Sequence, residues 1–173
     1  MKSIKLVCWD VDGVLSDGGL TYLDLPYGQI GRSITFHTHD GHGLAMLRKA
    51  GIRLAFVTGN SSAAVAARAA KLGVEFCIQN CADKLATVRH IAARCELGLD
   101  EVAYVGDDLG DVEAMKACAL AIAPADARPE ARAVSGFITK CQAGRGAGRD
   151  ACDIILHWNA EDQRWLKTKG RYI

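Results

Sequence analysis

The sequence predicts an α/β protein whose sheet is mainly parallel and covered by helices on both faces. Short runs rich in Val, Ile and aromatic residues recur along the chain, and each ends in polar residues or Gly. A longer stretch rich in Ala and Leu, with helical spacing, follows most of these runs. Strands that alternate with helices pair in parallel. Because the 173 residues are half hydrophobic, they suffice for one core, and we predict a single domain over residues 1–173.

The predicted elements follow from these patterns. Predicted strands lie within residues 4–10, 52–60, 74–80, 102–108 and 120–126, and predicted helices cover 43–50, 61–72, 82–97 and 111–119. The helix over 82–97 places Leu85, Val88, Ile91 and Ala92 on one stripe, as a core-facing helix requires. Beyond residue 126 we expect a short apolar segment at 136–140, a Gly/Arg loop at 143–148, and a helix over 149–158.

Residues 16–36 interrupt the alternation of strands and helices. Two extended runs, 19–23 and 29–36, flank a Pro-Tyr-Gly turn. This pattern predicts a β-hairpin inserted directly after the first strand.

Composition excludes several classes of function. The 21 basic and 20 acidic residues nearly cancel, so we expect neither nucleic acid nor an anionic membrane as partner. The seven cysteines are scattered and form no C-x-x-C pair, which argues against a disulfide framework or a zinc site. The N-terminal segment is not typical of a signal peptide or a membrane span. These observations predict a cytoplasmic protein with free thiols.

Acidic and polar residues gather where the predicted strands end. They are Asp10, Asp12, Thr58, Gly59, Asn60, Asp107, Asp108 and Asp111, with Lys84 at the start of a helix. The carboxyl ends of parallel strands meet at one edge of the sheet. Carboxylates this close need a cation, and Mg²⁺ prefers oxygen ligands. The lysine, the threonine and backbone N–H groups suit a transferring phosphoryl group.

The acids also have a structural explanation. Asp followed by Gly is a common turn signal, and Asp108 can cap the helix that follows it. The convergence of all these residues, rather than any single pair, therefore carries the prediction of a magnesium and phosphate site.

Four short motifs resemble those of the haloacid dehalogenase (HAD) superfamily in order and spacing. They are D-x-D-G-V at 10–14, T-G-N at 58–60, D-K at 83–84 and G-D-D-L-x-D at 106–111. The resemblance implies a Rossmann-like HAD fold. It also implies that Asp10 is a nucleophile that forms an aspartyl-phosphate, and that Asp12 is the general acid and base.

The same resemblance implies roles for the other motif residues. Mg²⁺ would be held by Asp10, by the backbone carbonyl of Asp12 and by Asp107. Asp111 would orient these groups, while Thr58 and Lys84 would stabilise the phosphate and its charge.

The spacing of the motifs leaves no room for a cap domain. Only a hairpin and one helix fit between Asp12 and Thr58, and only a helix and a strand fit between Thr58 and Lys84. Most of the chain resembles the capless HAD subgroup that includes 3-deoxy-D-manno-octulosonate 8-phosphate (Kdo 8-phosphate) phosphatase and the sialic-acid-type 9-phosphate phosphatases. The stretches concerned are 10–18, 36–44, 102–109 and 143–150.

That subgroup implies an assembly and a set of substrate residues. The hairpin 16–36 would build a homotetramer with active sites near subunit interfaces, and residues 143–173 would close over the substrate. Arg68 and Lys71, which share a helix face, would reach a neighbour's substrate, and Arg145 would bind substrate or help closure, with Arg149 a weaker candidate. For each of these cations the alternative is a solvated surface charge. Asn60 would also contact the substrate, at the position that distinguishes substrate types, where the subgroup's Kdo 8-phosphate members carry Arg and its sialic-type members Glu.

The predicted activity is Mg²⁺-dependent hydrolysis of a sugar-acid phosphate. Kdo 8-phosphate is the preferred substrate, which would link the enzyme to lipopolysaccharide biosynthesis. The alternatives are a nonulosonate 9-phosphate phosphatase and a non-catalytic oligomerisation module. A phosphorelay receiver domain groups similar residues, but the order of the motifs argues against it. A second metal at His37, His39 and His42 is not predicted, because the subgroup resemblance accounts for that stretch.

Overall fold

The computed structural model describes residues 2–161 of the chain. Six strands of this part are β1 (Leu6–Trp9), β4 (Arg53–Val57), β5 (Phe76–Ile78), β6 (Val102–Val105), β7 (Leu120–Ala123) and β8 (Phe137–Ile138). They form a parallel sheet in the spatial order β5-β4-β1-β6-β7-β8. β2 (Thr21–Leu25) and β3 (Gln29–Ser33) form a separate antiparallel hairpin.

Helices cover both faces of the parallel sheet. They are α1 (Thr38–Lys49), α2 (Ala63–Leu72), α3 (Lys84–Arg94), α4 (Val112–Ala117), α5 (Pro129–Val134) and α6 (Ala147–Asn159). On one face Val7 and Trp9 of β1 pack in a core with residues of α1, α2 and α6. On the other, Leu6 and Cys8 pack with residues of α3, α4 and α5. The predicted fold class is therefore confirmed.

β1 is buried at every residue, which explains why its sequence is continuously apolar rather than alternating. It lies between β4 and β6 and pairs in parallel with both. After β1 the chain first adds β4 and β5 on one side of this strand, and it later adds β6, β7 and β8 on the other side. The carboxyl end of β1 is therefore a topological switch point, where α/β proteins bind ligands. This geometry positions the polar residues that follow β1, β4 and β6.

Several element boundaries differ from the predicted ones. α1 begins at Thr38 rather than at 43, and α6 begins at Ala147 rather than at 149. Glycines lower helix propensity in both segments, but they let the two helices pack closely: a Cβ on Gly43 would lie 3.0 Å from Cys152 Sγ. α5, a six-residue helix with proline in its first turn, is not among the predicted helices.

The hairpin follows β1 as predicted, although its strands are shorter or shifted. A turn at Pro26–Gly28 joins them, with Tyr27 in the left-handed region at φ 63°. Every residue of β2 is exposed. Between β1 and β4 the structure contains only this hairpin and α1, so within residues 2–161 no cap domain covers the carboxyl edge of the sheet.

Among residues 2–161, no helix combines the length and apolar composition that a membrane crossing requires.

Asn159, the last residue of α6, connects this helix by hydrogen bonds to the segment just before β1. The Ile4 N–H donates to Asn159 Oδ1 over 2.7 Å, and Asn159 Nδ2 donates to the Ile4 carbonyl over 2.8 Å. Ile4 is buried, so replacing Asn159 by Ala leaves two backbone groups without partners.

We expect Asn159→Ala to lower the free energy of unfolding by about 1–3 kcal/mol, measured by urea denaturation. Asn159→Asp keeps the acceptor for the Ile4 N–H but sets a carboxylate oxygen against the Ile4 carbonyl, so it is also expected to lower stability. Equal stability of the wild type and Asn159→Ala would contradict the role assigned to this side chain.

Candidate active site

The four motifs converge on one cavity of about 410 Å³ at the carboxyl edge of the parallel sheet. Its lining residues come from the ends of β1, β4 and β6 and from the start of α3. They are Asp10, Asp12, Thr58, Gly59, Asn60, Lys84, Asp107, Asp108, Gly110 and Asp111. All the residues predicted to gather at the strand ends therefore line a single cavity.

The loop after β1 places Asp10 at the bottom of this cavity. Asp10 is 6% exposed, and its N–H donates to the Val105 carbonyl over 2.9 Å, which continues the pairing of β1 with β6. Gly13 follows at φ +92°, and a Cβ there would lie 2.1 Å from Asp107 Oδ2. Only glycine allows both this backbone conformation and this approach of the loop to Asp107.

Three carboxylates form a compact group inside the cavity. One oxygen from each of Asp10, Asp107 and Asp111 lies within 4.8 Å of the others. Burial and the charge of Asp111 raise the pKa of Asp10 from 3.8 to about 6, although Lys84 opposes the shift. Burial and the charges of Asp10 and Asp111 raise the pKa of Asp107 from 3.8 to about 8. The group therefore resists full ionisation until a cation neutralises it.

The donor set fits a hard divalent cation. Asp107 Oδ1 is buried and has no hydrogen-bond partner, an arrangement that is costly unless something else binds this oxygen. Buried carboxylate oxygens are ligands that Mg²⁺ prefers. Asp10 and Asp107 are thus the carboxylates able to hold the ion.

Asp111 is saturated by hydrogen bonds instead. Its Oδ1 accepts from Lys84 Nζ and from the Tyr104 hydroxyl, each over 2.7 Å. Its Oδ2 accepts from the backbone N–H groups of Asp107 and Asp108, each over 3.2 Å. With four donors bound, Asp111 fixes the positions of its neighbours, and the predicted role as an orienting residue agrees with this geometry.

Lys84 links the nucleophile candidate to this network. Asp83 caps α3 by accepting from the Ala86 N–H, so the helix begins at Lys84 and directs it to the cavity. Lys84 Nζ lies 3.0 Å from Asp10 Oδ1 and 2.7 Å from Asp111 Oδ1. Burial lowers the pKa of Lys84, yet Asp10 and Asp111 outweigh burial and raise this pKa above its ordinary value.

The carboxylate of Asp12 faces a different set of partners. Its Oδ2 accepts from Asn60 Nδ2 over 2.8 Å, and its Oδ1 lies 3.4 Å from Ser16 Oγ. Arg32 Nη2 lies 3.7 Å from the same Oδ1. Asp12 is not part of the three-carboxylate group. Its predicted contribution to the metal, through the backbone carbonyl, stays a prediction.

Thr58 directly follows β4, and two backbone hydrogen bonds hold it to the last residue of β5 and to the segment after β5. Its N–H donates to the Ile78 carbonyl, and the Cys81 N–H donates to its carbonyl, each over 3.0 Å. Thr58 is 2% exposed, and its Oγ1 accepts from the Asn60 N–H over 3.2 Å. Asp108 also has a local role, because its Oδ1 caps the following turn at the Leu109 N–H.

The arginines and the lysine that are predicted to contact the substrate or to help closure do not line this cavity. Arg68 donates to the His37 carbonyl over 3.1 Å and lies over the Phe36 ring, while Lys71 is exposed on α2. Arg145 lies 3.7 Å from Asp17 on the surface. Arg149 binds Asp153 within α6. Their predicted contacts with substrate stay predictions.

The segment predicted to close the site is held against the loop after β1. The Gly144 N–H donates to the Val14 carbonyl over 3.1 Å, and a Cβ on Gly144 would lie 2.5 Å from the Asp17 N atom. Gly144 therefore packs against the loop after β1, but residues 143–146 are not among those that line the cavity, and α6 follows them. The remaining part of the predicted tail, residues 162–173, lies outside the described residues.

His37 and His39 contact each other edge to face, with ring centroids 4.8 Å apart. Within residues 2–161 they are not part of the carboxylate group that can hold a metal, and neither is His42.

Three residues of the site were missed from the sequence. Tyr104 and Ser16 lie in segments that are predicted to be a buried strand and a turn, and Arg32 lies on the hairpin. Burial and the charge of Asp111 raise the pKa of Tyr104 well above its ordinary value, so its hydroxyl stays a donor. Side chains alternate along β6, so Tyr104 and Val105 point to opposite faces of the sheet. The sequence alone does not reveal that the Tyr104 hydroxyl binds Asp111.

Comparison with known proteins agrees with this geometry. A family model described as haloacid dehalogenase-like hydrolase matches residues 40–119. The 3-deoxy-D-manno-octulosonate 8-phosphate phosphatase KdsC of Yersinia pestis is 37% identical over 155 residues, which make up 89% of this chain and 80% of that protein.

Solved structures agree as well. One is the 3-deoxy-D-manno-octulosonate 8-phosphate phosphatase from Moraxella catarrhalis in complex with magnesium, phosphate and KDO. It has a TM-score of 0.85 and 38% identity, and the match covers 95% of this chain and 92% of that chain. The cobalt-bound enzyme from Haemophilus influenzae has a TM-score of 0.83 and 32% identity, with 91% and 90% covered. This chain therefore belongs to the 3-deoxy-D-manno-octulosonate 8-phosphate phosphatase family of haloacid dehalogenase-like hydrolases.

Proposed function

We propose that this protein is a Mg²⁺-dependent phosphatase that hydrolyses Kdo 8-phosphate to Kdo and phosphate. The observation that carries the proposal is the group of Asp10, Asp107 and Asp111 beside Lys84, in a chain of this family. The Moraxella catarrhalis relative holds magnesium, phosphate and KDO in its crystal structure, which supports the same ligands here.

In the first step, an Asp10 oxygen attacks phosphorus as the bond from phosphorus to the ester oxygen breaks. Asp12 gives its proton to the leaving oxygen, so the sugar acid departs as an alcohol and Asp10 carries the phosphoryl group. Lys84 and Thr58 stabilise the negative charge of the phosphoryl oxygens.

In the second step, Asp12 accepts a proton from water as the water oxygen bonds to phosphorus. The bond between phosphorus and Asp10 breaks, which releases phosphate and restores both residues after proton exchange. When bound, Mg²⁺ supplies positive charge that the carboxylates and phosphoryl oxygens share. Asp10, Asp107 and the Asp12 carbonyl would hold it, with Asp111 fixing the Asp107 backbone.

Assembly is part of the proposal. An isolated two-stranded hairpin is marginally stable at best in water, and this one exposes large apolar side chains: Leu20, Tyr22, Leu23, Leu25, Tyr27 and Ile30. Because Leu23 and Tyr22 point to opposite faces, both faces need cover. Further copies of the same hairpin in a homotetramer would supply it, and would bring Arg68, Lys71 and Arg145 toward neighbouring substrate sites.

We place the enzyme in the cytoplasm, with no nucleic acid or membrane partner. The seven free cysteines and the balanced charge support this location.

The substrate is tested by Mg²⁺-dependent phosphate release from Kdo 8-phosphate, a nonulosonate 9-phosphate and simple sugar phosphates. We expect Kdo 8-phosphate to give the highest kcat/KM. Preference for the nine-carbon acid would make Asn60 part of a sialic-type site. No release from any substrate by a folded wild type would favour the oligomerisation module.

We expect Asp10→Asn to lower kcat by about 10⁴-fold or more, because an amide cannot form the aspartyl-phosphate. The substitution keeps the size of the side chain, so circular dichroism is expected to show a folded protein. The matched control is Asp100→Asn on the surface, where Asp100 pairs with Lys2. A comparable loss in both variants would contradict the assignment of the nucleophile.

The raised pKa values of Asp10 and Asp107 predict how stability depends on pH without Mg²⁺. The native state holds these protons more tightly than the unfolded state, so stability falls as pH rises from about 4 through the folded-state values of about 6 and about 8. Mg²⁺ binds the ionised carboxylates and opposes this loss.

We therefore expect Mg²⁺ to raise Tm more at about pH 8 than at about pH 5.5, by several degrees, since each kcal/mol shifts Tm by about 2–4 °C in a protein of this size. Asp107→Asn removes the carboxyl with the higher pKa. This variant is expected to reduce the difference between the Mg²⁺-induced Tm shifts at the two pH values. The same Mg²⁺ effect at both pH values would show that the carboxylates are not the ligands.

We expect Ile30→Asp to convert the tetramer to smaller species in light scattering coupled to size exclusion. Ile30 is 72% exposed on β3, and a carboxylate there would be desolvated in the assembly. Ala93→Asp, at an exposed position of α3 outside the hairpin, is the matched control. A wild-type mass equal to one chain would overturn the proposed assembly.

A further inference from the structure

Arg32 on β3 lies beside the candidate general acid without completing a hydrogen bond to it. Its Nη2 is 3.7 Å from Asp12 Oδ1, and its side chain is 24% exposed. Its Nε and Nη2 are buried and have no hydrogen-bond partner. These two nitrogens form one edge of the guanidinium, the edge that binds a carboxylate through two parallel hydrogen bonds.

This arrangement is costly for the fold alone. A buried donor without a hydrogen-bond partner lowers the stability of the fold, and Arg32 has two such donors. The ion pair that Arg32 forms in the described chain is with Asp12. A shift of less than about 1 Å would bring Nη2 to ordinary hydrogen-bond distance from Asp12 Oδ1.

The opposite side of the same carboxylate is already held. Asn60 Nδ2 donates to Asp12 Oδ2 over 2.8 Å, and Ser16 Oγ lies 3.4 Å from Oδ1. Asn60 follows β4 and Ser16 follows β1, so Arg32 would add a third contact from a third element, the hairpin. Lys84 cannot serve in its place, because it is bound to Asp10 and Asp111.

We propose that Arg32 is a positioning residue that holds the carboxyl group of Asp12 in the orientation required for its proton to pass to the leaving oxygen. The hairpin thereby contributes to catalysis as well as to assembly. This inference rests on the proposed function only in taking Asp12 as the general acid and base. Misplacement of a reacting group by about 1 Å can lower a rate by about 10²-fold.

Two substrates whose leaving groups differ in basicity distinguish this positioning role from a purely structural role of Arg32. An alkyl oxygen needs the proton of Asp12 as its bond to phosphorus breaks, whereas p-nitrophenolate departs as the anion without a proton. Both reactions form the same bond from Asp10 to phosphorus. Single-turnover rates with enzyme in excess measure this first step for each substrate.

We expect Arg32→Met to slow release of the alcohol from Kdo 8-phosphate by about 10- to 100-fold. Release of p-nitrophenolate from p-nitrophenyl phosphate is expected to stay within about twofold of wild type, and KM for Kdo 8-phosphate within about threefold. Arg32→Lys keeps the charge without the two-pronged edge, and is expected to lie between Met and wild type. Arg89→Met, an exposed position on α3, is the matched control.

Three results would overturn the proposal. Equal slowing of both leaving groups would mean that Arg32 shapes the phosphoryl site or the fold. A raised KM with unchanged kcat would mean that Arg32 contacts the substrate directly. No change in either rate would mean that Asp12 is positioned without it.

The role of Arg32 can be tested even if Kdo 8-phosphate is not the substrate. If the wild type does not hydrolyse Kdo 8-phosphate, the comparison is repeated with an alkyl phosphate that the wild type does turn over. Melting temperatures of the Arg32 variants, expected at or above that of wild type because two unpaired donors are removed or rearranged, show whether each variant is folded.

Discussion

The repulsion among Asp10, Asp107 and Asp111 is the constraint on which the rest of the site depends. Parallel pairing of β1 with β6 brings the first two carboxylates to one edge of the sheet, and the turn after β6 brings the third. Lys84 supplies one positive charge for the three acids. Burial, together with the remaining imbalance of charge, raises the pKa of Asp10 and Asp107. A divalent cation would complement such a site.

Much of this arrangement follows from the sequence because it depends on topology. Asp10, Thr58 and Asp107 follow strand-like runs, and the carboxyl ends of parallel strands meet whatever the exact element boundaries are. Tyr104 and Arg32 could not be predicted in the same way, because their contacts depend on side-chain direction between elements that are distant in the chain. α5 was missed because six residues are too few to show a helical period.

The hairpin differs from the other strands in what its residues contact. β1 is buried on both faces, whereas β2 is exposed at every residue, so the hairpin contributes little to the core. Its apolar side chains suit contact with further copies of the chain, while Arg32 faces Asp12 in the same subunit. An assembly that fixes the hairpin would also fix Arg32 beside the proposed general acid.

The site shows how the fold supports residues that destabilise it. Buried carboxylates of like charge and unpaired donors on Arg32 oppose folding, and the two hydrophobic cores that cover the sheet offset them. Asp111 reduces the cost locally, since it accepts four hydrogen bonds and holds Lys84, Tyr104 and the Asp107 backbone in place. Asp107 Oδ1 is left without a donor. Because Asp111 holds the Asp107 backbone and Lys84 holds Asp10, a cation bound at that oxygen would require little rearrangement of these two residues, and preorganisation of this kind favours catalysis.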